Sequence, residues 1–221
     1  MIKVYYAKVS PFLEEGTFLS HIYQMEEKRR EQLRRIKSAE GKKLSFYAGC
    51  LLHDALCMEL GLLPETTDAF KILYEESGKP YLKDYPQLYF NLSHSGEYVC
   101  CALSDTPVGV DVQKMTDVRE GIAERFFTHQ ENLMLNASWG SKKEELFFRM
   151  WSIKESYVKL TGKGMGQGLD SFEIDWGNHR IIDTDVTAYF AEQSNLSGYA
   201  LCVCSWKEMD GVEWKRISLA Y

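Results

Sequence analysis

The chain has 221 residues, 45% of them hydrophobic, and its 26 basic and 32 acidic residues give a formal net charge of −6. This composition is typical of a globular protein, and the acidic balance argues against a general nucleic-acid binder. The sequence shows neither a signal peptide nor the roughly 20 consecutive apolar residues that span a bilayer. We therefore expect a cytoplasmic protein of one large or two small domains.

The first half of the chain mixes predicted strands and helices. Alternation in MIKVYYAKV predicts a strand, and the polar stretch from Leu19 to Leu33 favours an exposed helix. Apolar residues at helical spacing over Phe46 to Leu60 predict a buried helix that ends near Gly61. The segment LYFNLSHSGEYVCCALSD then predicts two strands joined by a loop at 91–96.

The second half begins with the short predicted strand PVGVDVQK. Helical patterns follow over Glu120 to Phe127 and Glu144 to Leu160, and FEIDW, TAYF and YALCVCSW predict further strands. The six cysteines lie in apolar segments without zinc spacing, which predicts reduced core thiols in a reducing compartment. The pattern as a whole favours an α+β fold with two lobes.

Within VGVDVQ, residues 108–113, period-two geometry places Val108, Val110 and Val112 on one face of a strand. The opposite face carries Asp111, and aspartate is a poor strand former. By itself this aspartate fits a solvent-facing position better than a metal site, and both interpretations stay open.

A second group of polar residues lies on the predicted helix that contains WSIKESYVKL. Met150, Ile153, Tyr157 and Leu160 form an apolar stripe. The opposite face is polar, with Ser152, Glu155, Ser156 and Lys159. The simplest interpretation of Glu155 and Lys159 is an exposed i,i+4 ion pair, which contributes only about 0.2–0.5 kcal/mol.

Two further features are ambiguous when taken alone. A histidine such as His94, in a predicted polar turn beside serines, offers donors to a phosphate but is also ordinary turn chemistry. The run KRREQLRRIKSAEGKK, residues 28–43, concentrates positive charge. It fits either a solvated helix face or a local site for a highly phosphorylated small molecule.

Taken in order, the segments GKPYL, NLSHSG, GVDVQ, FFTHQE and WSIKESYVKLTGKG resemble the motif set of Sfp-type 4'-phosphopantetheinyl transferases. The resemblance covers about residues 25–175, and its most specific part is the pair GxD and WxxKESxxK. It implies an α+β fold of two similar α/β lobes related by pseudo-twofold symmetry. The lobes would be 1–104, with the coenzyme A phosphate contacts, and 105–221, with the metal and catalytic residues.

The resemblance also implies a reaction: Mg²⁺-dependent transfer of 4'-phosphopantetheine from coenzyme A to a serine of an acyl or peptidyl carrier protein, releasing 3',5'-ADP. Mn²⁺ could replace Mg²⁺. The carrier would serve fatty-acid, polyketide or nonribosomal-peptide synthesis. The implied partners are coenzyme A and the carrier, without nucleic acid or membrane, and two lobes in one chain would allow a monomer to build the cleft.

The site residues are carried over from the matching motifs. The implied metal ligands are Asp111, Gln113 and Glu155, and the implied catalytic residues are Glu155, Lys159 and Glu131, with the choice of base between Glu131 and Glu155 left open. The implied coenzyme A contacts, of which the first three align loosely, are Arg29, Lys43, Ser45, Lys79, Pro80, Ser93, His94 and Lys154.

One position departs from the pattern, because many members carry a glutamate where this chain has Gln113. The substitution puts binding of a metal by three carboxylates in doubt and predicts an active enzyme with a higher magnesium requirement. Two alternatives follow. One is a member that binds coenzyme A or a carrier without catalysis, and the other is a metal-dependent nucleotide phosphohydrolase.

Overall fold

A computed structural model describes residues 1–10, 16, 18, 27–63, 70–76, 78–184 and 186–219. In these ranges the helices are α1 (Glu27–Arg35), α2 (Ala39–Leu60), α3 (Ile122–Phe126), α4 (His129–Asn136) and α5 (Ser141–Thr161). The strands are β1 (Ile2–Lys8), β2 (Ile72–Tyr74), β3 (Pro80–Leu82), β4 (Tyr89–Ser95), β5 (Tyr98–Ser104), β6 (Val108–Lys114), β7 (Glu173–Asp175), β8 (Arg180–Asp183), β9 (Val186–Glu192), β10 (Tyr199–Ser205) and β11 (Val212–Arg216). Two 3₁₀ turns, Gly164–Gly166 and Leu169–Ser171, follow α5.

The first lobe is a four-stranded sheet in the order β11-β1-β5-β4, with α2 packed on it. Helix α2 ends at the left-handed residue Gly61, as the sequence predicts. It begins seven residues earlier than predicted, because Ser38 caps it by accepting a hydrogen bond from the backbone N–H of Gly41. Strand β11 lies parallel to β1, so the C-terminal part of the chain contributes an edge strand to this lobe.

The second lobe is a five-stranded sheet in the order β6-β10-β9-β8-β7, with α5 packed on β6 and β10. The predicted stripe of α5 is confirmed, because Met150, Ile153, Tyr157 and Leu160 are all buried. Together with the first lobe, this mixed helix-and-sheet arrangement confirms the predicted α+β class. The predicted lobe boundary near residue 104 stays a prediction. Strand β11 follows that boundary in sequence but pairs with β1 in the sheet of the first lobe.

The two sheets share a core between the lobes. Strand β6 contributes Val108, Val110 and Val112, all almost inaccessible to solvent. They pack with residues of β1, β5 and β10, namely Ile2, Val4, Cys100, Ala102, Leu201 and Val203. Because one face of β6 lies in this shared core, its opposite face, with Asp111, lies against α5. The predicted alternation of this strand is confirmed.

Several sequence predictions are corrected. The predicted loop at 91–96 is wrong, since β4 continues to Ser95 and the chain turns at Gly96, whose φ is +57°. The predicted exposed helix is observed from Glu27, and residues 19–26 lie outside the described part. Among the described elements, α4, β2, β3, β8 and β11 were not predicted.

The six cysteines are free and buried, as predicted. None of the described helices is long and apolar enough to cross a membrane.

Candidate active site

Helix α5 lies directly on strand β6, and Gly109 makes this approach possible. A Cβ atom at Gly109 would lie 2.0 Å from the carbonyl oxygen of Ser156 and 2.5 Å from the nitrogen of Leu160. Ser152 donates a hydrogen bond of 3.0 Å to the carbonyl of Asp111. Part of the predicted polar face of α5 therefore lies inside the protein, because Ser152 and Ser156 are fully buried. Gly109 was not singled out, although a glycine inside a strand often marks close backbone approach.

Asp111 is buried at this contact and belongs to a polar network that joins the two lobes. Its Oδ1 accepts hydrogen bonds from Ser93 Oγ at 2.9 Å and from Lys159 Nζ at 2.7 Å. Lys159 Nζ also contacts Ser93 Oγ at 2.7 Å and the carbonyl of Val110 at 3.2 Å. The other carboxylate oxygen of Asp111, Oδ2, is buried without a hydrogen-bond partner in the described part of the chain.

Glu155 lies one helical turn before Lys159 and is half-buried. Burial, followed by the negative charge of Asp111, raises the pKa of Glu155, and the charge of Lys159 opposes that rise only partly. The predicted exposed ion pair between Glu155 and Lys159 is replaced by the pair of Lys159 with Asp111. The negative charges of Asp111 and Glu155 are thus only partly neutralised by Lys159.

This arrangement fits a divalent cation. An orphaned buried carboxylate oxygen beside a second carboxylate offers the oxygen ligands that Mg²⁺ takes in proteins. Gln113 follows Asp111 by two residues on the same face of β6 and is half-buried. Across the described ranges, no cluster of three or more His, Cys, Asp or Glu side chains is placed to hold a metal.

Basic side chains of the first lobe lie near this network. His94 is exposed on β4, yet desolvation of its ring, followed by the charges of Lys159 and Arg29, lowers its pKa. Arg29 donates to the backbone carbonyl of Ser45 at 2.6 Å, and burial lowers its pKa. Lys79 donates to the carbonyl of Leu160 at 3.0 Å, close to the end of α5.

The remaining implied coenzyme A contacts of the first lobe lie next to these. Burial lowers the pKa of Lys79, although Glu75 opposes the shift. Pro80 follows Lys79 and opens β3, and Lys43 is half-buried near the start of α2, two residues before Ser45. Three cationic side chains, from α1, the segment before β3 and the end of α5, are thus linked to this region: Arg29, Lys79 and Lys159.

Glu131 and Lys154 form a separate buried ion pair with an N–O distance of 2.9 Å. Lys154 Nζ also donates to the carbonyls of Leu169 and Phe172, each at 2.7 Å. Glu131 accepts from the backbone N–H of Thr128 in a capping box and from that of Ile174. Among the described residues, no contact connects this pair to Asp111, Glu155 or Lys159. This ion pair therefore connects α4, α5 and the segment 169–174.

Comparison with known proteins agrees with the motif resemblance. Residues 107–204 match a model of the 4'-phosphopantetheinyl transferase superfamily, and residues 10–106 match the model described as 4'-phosphopantetheinyl transferase, N-terminal. A 4'-phosphopantetheinyl transferase of Bacillus subtilis is 33% identical over 198 residues, which cover 85% of each chain. The transferase Sfp of Bacillus subtilis strain 168 is 30% identical over 87% of this chain and 85% of its own.

A solved structure, that of Thermotoga maritima holo-[acyl-carrier-protein] synthase, matches with a TM-score of 0.36 and 20% identity. That match covers 45% of this chain and 61% of the other. The sequence matches extend over both lobes and include the strand with Asp111 and the helix with Glu155 and Lys159. The chain therefore belongs to the 4'-phosphopantetheinyl transferase superfamily and is an enzyme of that class.

Proposed function

We propose that this enzyme transfers 4'-phosphopantetheine from coenzyme A to a serine of an acyl or peptidyl carrier protein and releases 3',5'-ADP. One observation supports this reaction. An acidic cluster, formed by Asp111 and Glu155, lies beside cationic side chains contributed by both lobes. A pyrophosphate needs both kinds of group, because its charge must be neutralised by cations while a metal needs carboxylate ligands.

Mg²⁺ would be held by Asp111 and Glu155, with the amide oxygen of Gln113 as a neutral neighbour. Two carboxylates with substrate phosphates are an ordinary ligand set for this ion. When bound, the cation would polarise the phosphoryl oxygens of the pyrophosphate. Because Gln113 is uncharged, we expect a higher magnesium requirement than three carboxylates would give.

Glu155, rather than Glu131, acts as the base. Both oxygens of Glu131 already accept hydrogen bonds inside a buried ion pair, which leaves Glu155 as the available carboxylate of the two. Glu155 takes the serine proton as the serine oxygen bonds to the β-phosphorus and the bond from that phosphorus to the bridging oxygen breaks.

The cationic residues serve the leaving group. Lys159, fixed by Asp111 and Ser93, neutralises charge that develops on the departing 3',5'-ADP. His94, Arg29, Lys79 and Lys43 hold the phosphates of the nucleotide, with Ser45 and Pro80 shaping that region. Lys154 is assigned to the buried ion pair instead of to the nucleotide.

The free, buried cysteines support a reducing compartment, and we place the enzyme in the cytoplasm as a monomer. Intact mass measurement of an apo carrier protein incubated with coenzyme A, Mg²⁺ and this enzyme tests the reaction. We expect the carrier to gain one phosphopantetheine group, and a carrier whose acceptor serine is changed to alanine to gain nothing. No gain with any carrier type, despite binding of coenzyme A, would identify a non-catalytic binding protein instead.

A further inference from the structure

The two sheets meet along β4 and β6, which are the edge strands of their respective sheets. Edge strands leave backbone N–H groups unpaired, and buried N–H groups need acceptors. Here the acceptors for β6 are side chains of β4. Val110 donates to Asn91 Oδ1 at 3.0 Å, and Val112 donates to Ser93 Oγ at 3.3 Å.

A third contact continues the series, since Lys114 donates its backbone N–H to Ser95 Oγ at 3.0 Å. Alternate residues of β4 thus meet alternate residues of β6 in a constant register. We call these three contacts the side-chain ladder. It replaces the backbone hydrogen bonds that would otherwise join two strands, and it couples one lobe to the other.

The middle rung of the ladder is part of the candidate active site. Ser93 Oγ contacts Val112 N, Asp111 Oδ1 and Lys159 Nζ at the same time. The position of β6 relative to β4 therefore sets the position of Asp111 relative to Lys159.

The Asn91 rung fixes the residue immediately before Asp111. The backbone N–H of Val110 is held by Asn91, and the carbonyl of Val110 accepts a hydrogen bond from Lys159. Val110 is fully buried. If the asparagine oxygen is removed, this N–H loses its acceptor, and the strand must shift to regain one.

We propose that Asn91 is a positioning residue for phosphopantetheine transfer, acting through the Val110 peptide to hold Asp111 and Lys159 in register. This inference rests on the proposed function. A purely structural role predicts similar losses of turnover whichever hydrogen bond of the ladder is removed. The positioning role predicts that the loss of turnover depends on which of these hydrogen bonds is removed. Small misplacements of reacting groups are costly, since about 1 Å can lower a rate 100-fold.

The test compares Asn91→Ala with Ser95→Ala, which removes a rung of the same kind at the exposed end of the ladder. We expect Asn91→Ala to lower kcat by at least about tenfold while KM for coenzyme A stays within about twofold. Ser95→Ala should leave kcat within about twofold, because water can replace its hydroxyl. Asn91→Asp keeps the acceptor oxygen and should recover most of the lost turnover.

An Asn91→Ala enzyme with kcat within about twofold of the parent would overturn the proposal. Equal losses in Asn91→Ala and Ser95→Ala, or no recovery in Asn91→Asp, would do the same. If Asn91→Ala does not fold, amide exchange in the parent decides, because the Val110 amide should exchange more slowly than that of Lys114. Rapid exchange of the Val110 amide proton would show that its hydrogen bond to Asn91 is not stably formed, which would contradict the proposal. A parent without transfer activity would instead contradict the proposed function.

Discussion

At the scale of single residues, the two carboxylates of the candidate site differ in their surroundings. Asp111 has one oxygen bound by Ser93 and Lys159 and the other buried without a partner among the described residues. Glu155 has a pKa raised by burial and by Asp111. Such an arrangement is costly for the folded protein unless a ligand uses it. It therefore favours a functional role over a structural one for both residues.

Asp111→Asn and Glu155→Gln should each lower the rate of transfer by at least about 100-fold, because each removes a charge needed at the reaction centre. Both changes preserve side-chain shape, so each variant should still fold in a single cooperative transition. Kinetics with a carrier protein and thermal unfolding provide the two measurements. Glu144→Gln, near the exposed start of α5, is the matched control. Near-normal turnover in either site variant would refute the assignment.

Gln113→Glu should lower the Mg²⁺ concentration that gives half-maximal activity, on the order of tenfold. The reason is that a third carboxylate would join Asp111 and Glu155 beside the same face of β6 and α5. A magnesium titration of parent and variant at saturating coenzyme A measures the change. A parent already saturated at trace Mg²⁺, or a variant with an unchanged magnesium requirement, would show that Gln113 does not set the magnesium requirement.

At the scale of secondary-structure elements, the site depends on how closely α5 packs on β6. Gly109 has no side chain at the point where the backbone of α5 passes, and Ser152 and Ser156 present small polar groups to the same surface. Lys159 and Glu155 reach Asp111 because of this packing. The glycine is thus as important to the geometry as the charged residues.

Gly109→Ala should destabilise the protein by at least about 2 kcal/mol, because the added methyl group would overlap the α5 backbone, which has little freedom to move. Transfer activity should fall as well, since α5 carries Glu155 and Lys159. Gly177→Ala is the control, as its nearest neighbour would be at an ordinary 3.7 Å, and we expect a change within about 0.5 kcal/mol. Chemical denaturation measures both, and equal stability of the two variants would contradict the close packing.

Glu59 fastens α2 to the first sheet, with Lys3 Nζ at 2.5 Å and a further hydrogen bond from Tyr5. Burial opposes its ionisation, but these two hydrogen bonds and the charges of Lys3 and Lys215 together outweigh burial and lower the pKa of Glu59. A lowered folded-state pKa stabilises the fold above the unfolded pKa, and this stability is lost as pH falls through the folded value.

Glu59→Gln should therefore lower the free energy of unfolding by about 2 kcal/mol at pH 7, and the difference from the parent should shrink in acid. Denaturation curves from pH 7 to pH 3 test this. Glu213→Gln removes a half-exposed partner of Lys215 and should cost less than about 0.5 kcal/mol. A loss for Glu59→Gln that does not change with pH would contradict the charge-based explanation.

The elements also show what sequence patterns can and do not reveal. Periodicity predicted β1, β6 and the buried stripe of α5, because each alternates or repeats against a core. It misassigned NLSHS as a loop, since polar side chains normally point to water. In β4 they instead accept hydrogen bonds from β6, and that role depends on a strand distant in space. The α2 start was missed because its first turns are polar.

At the scale of the whole molecule, the candidate site lies where the two sheets meet. The shared core of β1, β5, β6 and β10 holds the sheets together, and the site lies beside it. Motif order alone suggested Asp111, Glu155 and Lys159 as candidates. The fold joins Asp111 and Lys159 to Ser93 by hydrogen bonds and places the charge of Glu155 near Asp111. The same motifs suggested Glu131 and Lys154, yet these form a buried ion pair. Motif membership does not separate residues that hold the fold from those that face a substrate.

The central claim is that cleavage of coenzyme A is coupled to modification of a carrier protein. The most direct test quantifies 3',5'-ADP and phosphopantetheinylated carrier in the same reaction, with and without apo carrier. We predict that the two products form in a one-to-one ratio and that no 3',5'-ADP appears without the carrier. Release of 3',5'-ADP together with free phosphopantetheine, independent of the carrier, would instead show a metal-dependent phosphohydrolase and contradict the assignment.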